Sequence, residues 1–306
     1  MSLVATLVML LPALVGISLG VIAGHAPLTM RPAFALRALT AVAAVAAFSA
    51  LSAVGMLSAG LLARTAFIEQ LVAWCPAIPL HDQISYAIGL PAVAALGAIA
   101  YRVYRVFSLR RWAVAGTKGR RLLVLETPEP IAYAAPGRPG CVVVSKGILQ
   151  LLRPEERRVL FAHERAHLDQ HHDRHLAVAA IAVAAVPLLA PLATQIRLAT
   201  ERCADEAAVK AVGGDRELVA TAIARAAVSL SEYSDSQDDV DQLASTAHFK
   251  GGASVQRVAA LIGAPASPAS LLFGAAVAVA ILGIVSTAAS VQVLHLAEFV
   301  GHICNF

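Results

Sequence analysis

Long runs of uncharged apolar residues alternate with short polar connections at both ends of this chain. The four longest runs cover residues 3–24, 38–63, 84–100 and 271–294. A helix of about 20 apolar residues crosses the roughly 30 Å hydrocarbon layer of a bilayer. The pattern therefore predicts three membrane-spanning helices within residues 1–108 and a last one within residues 265–306.

The polar pattern of residues 109–264 predicts a folded domain between the third and fourth spans. Two short aliphatic runs, 122–125 and 141–144, are separated by turn-rich stretches and predict a small β-sheet. Helices are expected from residue 154 onward and over 198–212, 217–230 and 255–262. The polar, serine- and glycine-rich stretch 231–254 predicts a mobile loop. The whole chain is expected to be a mostly α-helical polytopic membrane protein that carries an α+β domain.

Composition and charge support a membrane class and suggest its orientation. Hydrophobic residues make up 58% of the 306-residue chain and charged residues only 14%, which is too apolar for an ordinary soluble protein. Arginine and lysine side chains follow the third span closely, which places that side in the cytoplasm by the positive-inside rule. The net charge of +4 is interpreted as membrane anchoring, because no basic stretch is interleaved with aromatic residues as in a nucleic-acid surface.

The candidate chemistry lies in the helix expected from residue 154. His163-Glu164-Arg165-Ala166-His167 has the form H-E-x-x-H, and a helix places the two histidines one turn apart on one face. Two imidazoles at this spacing can bind one metal ion, and zinc suits them best. Glu164 lies beside them as a candidate general base. The alternative interpretation is a coincidental pair of surface histidines.

A second motif downstream could complete the metal site. Glu201-Arg202-Cys203-Ala204-Asp205 has the form E-x-x-x-D on an expected helix. Glu201 is the candidate third ligand, and Asp205 could accept a hydrogen bond from a ligating histidine and fix its tautomer. Taken alone, the two carboxylates would be interpreted as a solvated helix face.

This ligand set constrains the apolar run at 176–193, which contains Pro187 and Pro191. A single membrane crossing there would place Glu201 on the opposite side from His163 and His167. A broken, membrane-associated helical hairpin over about 176–196 is favoured, although an interfacial or buried segment stays open. Four spans then place both termini outside, and Cys75 could form a disulfide with Cys304 on that side.

Five further polar residues are weaker candidates. His171, His172 and His175 would extend the histidine helix, and they are interpreted as its polar, interfacial end with at most an accessory role. His248 and Tyr233 lie in the expected loop and could supply a donor to a developing oxyanion.

Several quoted stretches resemble membrane gluzincin metallopeptidases. They are A-Y-A-A-P-G at 132–137, V-V-V-S-K-G-I-L at 142–149, V-L-F-A-H-E-R-A-H-L at 159–168 and E-R-C-A-D at 201–205. The chain resembles most closely the BlaR/MecR-type antirepressor peptidases, and is also similar to the HtpX-type and CAAX-prenyl-protease families. The resemblance covers about residues 120–262. No penicillin-binding sensor domain is recognisable after the last span.

The resemblance implies a zinc endopeptidase in a bacterial plasma membrane with a cytoplasmic catalytic domain. His163, His167 and Glu201 would hold one zinc ion, Glu164 would be the general base, and Asp205 would orient a ligand. The expected partners are the lipid bilayer and a protein substrate, such as a transcriptional repressor, and the chain could form a homo-oligomer. Two alternatives remain: an HtpX-type quality-control protease for membrane proteins, and a non-enzymatic scaffold with a structural zinc.

Overall fold

The computed structural model describes residues 3–26, 30–62, 85–115, 119–235, 251–263 and 268–304. Its helices are α1 (Leu3–His25), α2 (Pro32–Leu62), α3 (Tyr86–Ala115), α4 (Lys146–Leu151), α5 (Pro154–Asp169), α6 (His172–Ala185), α7 (Ala190–Ala211), α8 (Arg216–Asp235), α9 (Gly251–Ile262) and α10 (Pro268–Cys304). Its strands are β1 (Leu122–Leu125), β2 (Ala132–Ala135) and β3 (Cys141–Ser145). The mostly helical architecture with a small sheet agrees with the expected fold class.

Three helices in the described part of the chain are long and apolar enough to cross a membrane. They lie at Pro32–Leu62, Tyr86–Leu109 and Gly274–Leu294. The first apolar run is also helical, and its segment Leu10–His25 is a shorter apolar helix. The connection at 64–84, which contains Cys75, lies outside the described residues, so the expected Cys75–Cys304 disulfide stays a prediction.

Two of these helices are longer than the apolar pattern predicts. α2 begins at Pro32, six residues before the apolar run at 38–63, so Arg37 lies inside the helix. Proline is well tolerated in the first turn of a helix, because its missing N–H has no intrahelical partner there. α3 continues past the apolar run that ends near residue 100, through Tyr101 and Arg102, to Ala115. Helix length is therefore not set by hydrophobicity alone.

The small sheet has three strands in the order β1-β3-β2. β1 pairs parallel with β3, and β2 pairs antiparallel with β3. The central strand is buried along its whole length. The edge strand β2 was not predicted as a separate strand, because the sequence Ala-Tyr-Ala-Ala is poor in the β-branched residues that favour strands.

The ambiguous run at 176–193 forms a broken helical hairpin. α6 ends at Ala185, a single 3₁₀ turn covers Pro187–Leu189, and α7 begins at Ala190. α6 and α7 fold back against each other and pack against α2. α7 begins eight residues earlier than predicted, because Pro191 occupies its first turn and does not interrupt it.

Glycines let α1 approach this hairpin closely. Gly20 and Gly24 lie one turn apart on α1. A Cβ atom added at Gly24 would lie 2.5 Å from the backbone nitrogen of Leu192 and 2.7 Å from the carbonyl carbon of Pro191. The side chains of Leu189 and Leu192 are fully buried in the same core. Only a residue without a Cβ allows this contact between backbones.

Two further helices, α8 and α9, follow α7 and complete the domain. α7 ends where Gly213 and Gly214 adopt positive φ angles of 79° and 94°, as the Gly-Gly pair predicts. α8 continues to Asp235 and α9 begins at Gly251, so the expectation of a loop is wrong for 231–235 and 251–254. The intervening residues lie outside the described part of the chain.

We expect Gly24→Ala to lower the free energy of unfolding by about 1–3 kcal/mol, because its Cβ meets backbone atoms that cannot move aside. Thermal unfolding in detergent micelles measures this change. Gly97→Ala is the matched control, since a Cβ there meets nothing within 4 Å. Equal melting temperatures for the two variants would contradict the proposed close contact.

Candidate metal centre

The first turn of the helix that carries the histidines contains a buried acidic residue, Glu156. Pro154 occupies the first turn of α5, and the backbone N–H of Arg153 donates to Glu156 Oε2 at 2.8 Å. The other carboxylate oxygen of Glu156 accepts from Nε of Arg225 on α8 at 3.0 Å. The start of α5 is therefore fixed to α8 as well as capped.

His163 and His167 lie on the buried face of α5, as their spacing predicts. Their side chains are 7% and 6% exposed, and their Nε2 atoms are 3.2 Å apart. Glu164 between them is only 2% exposed. One turn of helix thus directs two imidazole nitrogens toward the same point.

The helix α7 brings Glu201 to this point from a distant part of the sequence. Glu201 Oε2 lies 3.4 Å from His163 Nε2, and Glu201 Oε1 lies 3.7 Å from His167 Nε2. Asp205 is one turn further along α7, and its Oδ1 lies 3.0 Å from His163 Nδ1. The structure therefore brings together the three predicted ligands and Asp205, with the predicted base Glu164 next to His163 in the chain.

The three donor atoms of His163, His167 and Glu201 fit a single metal ion. They form a cluster in which candidate ligand atoms lie within 4.8 Å of one another. Ligands bound tetrahedrally to zinc at 2.0–2.1 Å would be about 3.3 Å from each other. The two Nε2 atoms are 3.2 Å apart, and each lies near one oxygen of Glu201, His163 Nε2 at 3.4 Å from Oε2 and His167 Nε2 at 3.7 Å from Oε1, which is close to that value. The spacing and the two-nitrogen, one-oxygen donor set both suit a zinc ion.

Arg257 on α9 completes the charge balance of the cluster and was not predicted. Its side chain is 1% exposed and makes two bonds to Asp205, from Nε to Oδ2 at 2.9 Å and from Nη2 to Oδ1 at 2.6 Å. Its Nη1 lies 3.1 Å from Glu201 Oε2. The only sequence signal was a single charged residue among the apolar residues of a short helix.

The histidine helix does not continue through His171, His172 and His175 as predicted, because a turn separates α5 from α6. α5 ends at Asp169, and His171 adopts a left-handed φ of 52° between α5 and α6. His172 is then 1% exposed, so its interpretation as a polar interfacial end is wrong. His175 lies further along α6, where its Nδ1 is 3.0 Å from Thr40 Oγ1 of α2.

His172 lies directly behind His167. Its Nδ1 is 3.2 Å from His167 Nδ1, and its Nε2 is 3.3 Å from Gln170 Oε1. If Nε2 of His172 donates to Gln170, its Nδ1 is free to accept the Nδ1–H of His167. His172 then holds Nδ1 of His167, and Asp205 holds Nδ1 of His163. Both Nε2 atoms are left to face the candidate metal position.

The buried charges shift the ionisation of the cluster strongly. Burial favours neutral His163, but hydrogen bonds to Asp205 and Glu201 outweigh it and raise the pKa of His163 to about 10. Burial would raise the pKa of Glu201, but His163 and Arg257 hold it well below its usual range. Burial lowers the pKa of His172 to about 4, so this histidine is neutral at pH 7.

The two candidate oxyanion donors are not placed by the structure. Tyr233 lies in α8, but the position of its side chain is not described, and His248 lies outside the described residues. β2 is an edge strand, since β3 is the central strand of the sheet. β2 packs against α5, next to the helix that carries the histidines.

Comparison with known proteins agrees with these features. A family model described as peptidase family M48 matches residues 107–261, just over half of the chain. The matched segment includes α5, α7 and Arg257, and therefore the whole cluster. No curated protein and no solved structure gives a significant match.

We expect Arg257→Met to lower the free energy of unfolding by about 3–5 kcal/mol, because it leaves Asp205 and Glu201 buried without their cation. Denaturant unfolding in detergent measures the loss. Arg216→Met is the control, since the exposed Arg216–Glu206 pair should contribute less than about 1 kcal/mol. A loss at position 257 no larger than at position 216 would show that Arg257 does not balance this charge.

Metal binding is expected to displace a proton from His163. With a pKa of about 10, this imidazole is protonated at pH 7, whereas a metal ligand must be neutral. The apparent affinity for Zn²⁺ should therefore rise about tenfold per pH unit between about pH 7 and 9 and level off above the pKa. Competition with a chromophoric chelator measures this slope.

Asp205→Asn provides the control for that measurement. It weakens the hydrogen bond that raises the pKa of His163, so the pH dependence of Zn²⁺ affinity should become shallower. An affinity that does not change with pH in the wild-type chain would contradict the assignment of a protonated His163.

Proposed function

The chain belongs to peptidase family M48, and we propose that it is a membrane-bound zinc endopeptidase with one zinc ion held by His163, His167 and Glu201. The observation that carries this proposal is the convergence of three buried donor atoms from α5 and α7 at separations that suit zinc. Three protein ligands leave one coordination position open, as catalytic zinc sites require.

The chemistry divides between the metal and the side chains around it. A bound zinc ion would supply Lewis-acid activation of water and of the scissile carbonyl. Glu164, buried next to His163, acts as the general base that takes the proton of the attacking water and passes it to the leaving amine. Asp205 and His172 orient the two imidazoles, and Arg257 keeps Glu201 and Asp205 ionised.

Protein substrates would bind as an added strand. β2 is an edge strand, and its side away from β3 carries no further strand in the described part of the chain. An extended peptide pairs with such an edge through backbone hydrogen bonds, independently of most side chains. Because β2 packs against α5, a peptide bound there would run near Glu164.

The active site would face the cytoplasm of a bacterial cell. Arginines lie at the start of α2 and at the end of the candidate span Tyr86–Leu109. These two ends would lie on the same side of a membrane that both helices cross. The α6–α7 hairpin enters and leaves on one side, so Glu201 can meet α5 without a membrane crossing. We place this hairpin in contact with the bilayer.

The biological role that we propose is cleavage of a regulatory protein, such as a transcriptional repressor, as the BlaR/MecR-type resemblance suggests. The alternative is quality control of membrane proteins, as in the HtpX-type peptidases. Both roles use the same site and differ only in substrate. A homo-oligomer is compatible with either role.

We expect Glu164→Gln to retain stoichiometric zinc but to lose at least about 100-fold in peptide cleavage, because it removes only the base. Zinc content by elemental analysis and cleavage of a casein substrate are the two measurements. Arg158→Gln, an exposed change on the same helix, is the control and should leave both unchanged.

The same variant separates the proposed roles. Proteomics of cells carrying wild type or Glu164→Gln should show one accumulating repressor if the chain acts in signalling, and many membrane proteins if it acts in quality control. Cleavage by Glu164→Gln at the wild-type rate would instead contradict the assignment of Glu164 as the base. Absence of cleavage by both proteins would support a non-enzymatic protein with a structural zinc.

A further inference from the structure

A second concave site lies outside the metal centre. A groove of about 610 Å³ separates the turn between β2 and β3 from the junction of α5 with α6. Its charged lining consists of Arg121, Arg138, Arg165, Arg174, Asp169 and Asp173. Four guanidinium groups against two carboxylates leave a net charge of +2 in one groove.

Among the described residues, carboxylates offset only half of the positive charge of this groove. All four arginines are exposed, and none makes an ion pair with a carboxylate in the part of the chain that the structure describes. Guanidinium groups present a planar set of donors that matches the oxygens of a phosphate group. A groove with several such groups is suited to a phosphate-bearing ligand.

The groove is separate from the proposed peptidase site. Arg165 lies two residues from both His163 and His167, which on an α-helix is about 200° around the axis. The histidines are buried, whereas Arg165 is exposed. A ligand in the groove would therefore contact the outer face of α5 and not the metal.

The groove lies at the basic end of the candidate membrane helices. α6 begins at the groove, and its His175 contacts Thr40 in the first third of α2. Arg121 follows the candidate span Tyr86–Leu109 by twelve residues. In the proposed orientation this is the level of the cytoplasmic headgroups, where anionic lipids create a negative surface potential.

We propose that this groove binds the headgroup of an anionic phospholipid through Arg121, Arg138, Arg165 and Arg174. The location at the ends of the membrane helices favours a lipid over an acidic segment of a substrate. Bound lipid would fix the α5–α6 junction, which carries His167 and His172, to the membrane surface. The proposal rests on the proposed orientation but not on peptidase activity.

Native mass spectrometry of the full chain, released from mixed micelles with phosphatidylglycerol or phosphatidylcholine, tests this proposal. The wild type should retain phosphatidylglycerol at about tenfold lower lipid concentration than phosphatidylcholine. Arg138→Gln/Arg174→Gln should weaken phosphatidylglycerol retention by about tenfold or more. The control Arg153→Gln/Arg158→Gln removes the same charge from exposed positions outside the groove and should behave as wild type.

Other outcomes would overturn the proposal. Equal retention of the two lipids, or unchanged retention by the groove variant, would show that the groove does not select an anionic headgroup. Displacement of phosphatidylglycerol by an equal concentration of inorganic phosphate or of a poly-glutamate peptide would assign the groove to one of those ligands.

The Glu164→Gln variant should retain phosphatidylglycerol as the wild type does. Lipid binding is then tested independently of peptidase activity, because this variant removes the proposed base and leaves the groove unchanged.

Discussion

The arrangement of the domain depends on keeping two carboxylates ionised inside it. Glu201 and Asp205 are buried one turn apart on α7, and burying a charge costs several kcal/mol unless a partner compensates. His163 on α5 and Arg257 on α9 supply that compensation through direct contacts. Three helices that are far apart in the sequence are thereby fixed around one point, because a shift of any of them would expose an unpaired charge.

The same requirement connects the site to the apolar part of the molecule. α7 is one continuous helix from Ala190 to Ala211, so its buried first half fixes the position of Glu201 in its second half. That first half packs in a core with α1 and α2, where Gly24 allows the backbones to meet. The position of a candidate metal ligand is therefore determined partly by contacts with the long apolar helices α1 and α2.

Local spacing explains which parts of this site were predictable. His163, Glu164 and His167 follow from helical periodicity within five residues, and Glu201 and Asp205 follow from a second pattern of the same kind. Arg257 is 52 residues from Asp205, and His172 contacts His167 across an interruption of the helix at His171. β2 has no strand pattern of its own and exists because β3 offers it a partner. These features depend on tertiary contacts, which single-sequence periodicity does not contain.

The contacts around the two histidines also explain why both Nε2 atoms face the same point. Asp205 Oδ1 lies 3.0 Å from His163 Nδ1, and His172 Nδ1 lies 3.2 Å from His167 Nδ1. Each Nδ1 atom therefore has a neighbouring partner, which fixes the orientation of its ring. The two partners belong to α7 and α6, so the direction of both candidate ligands depends on how these two helices pack around α5.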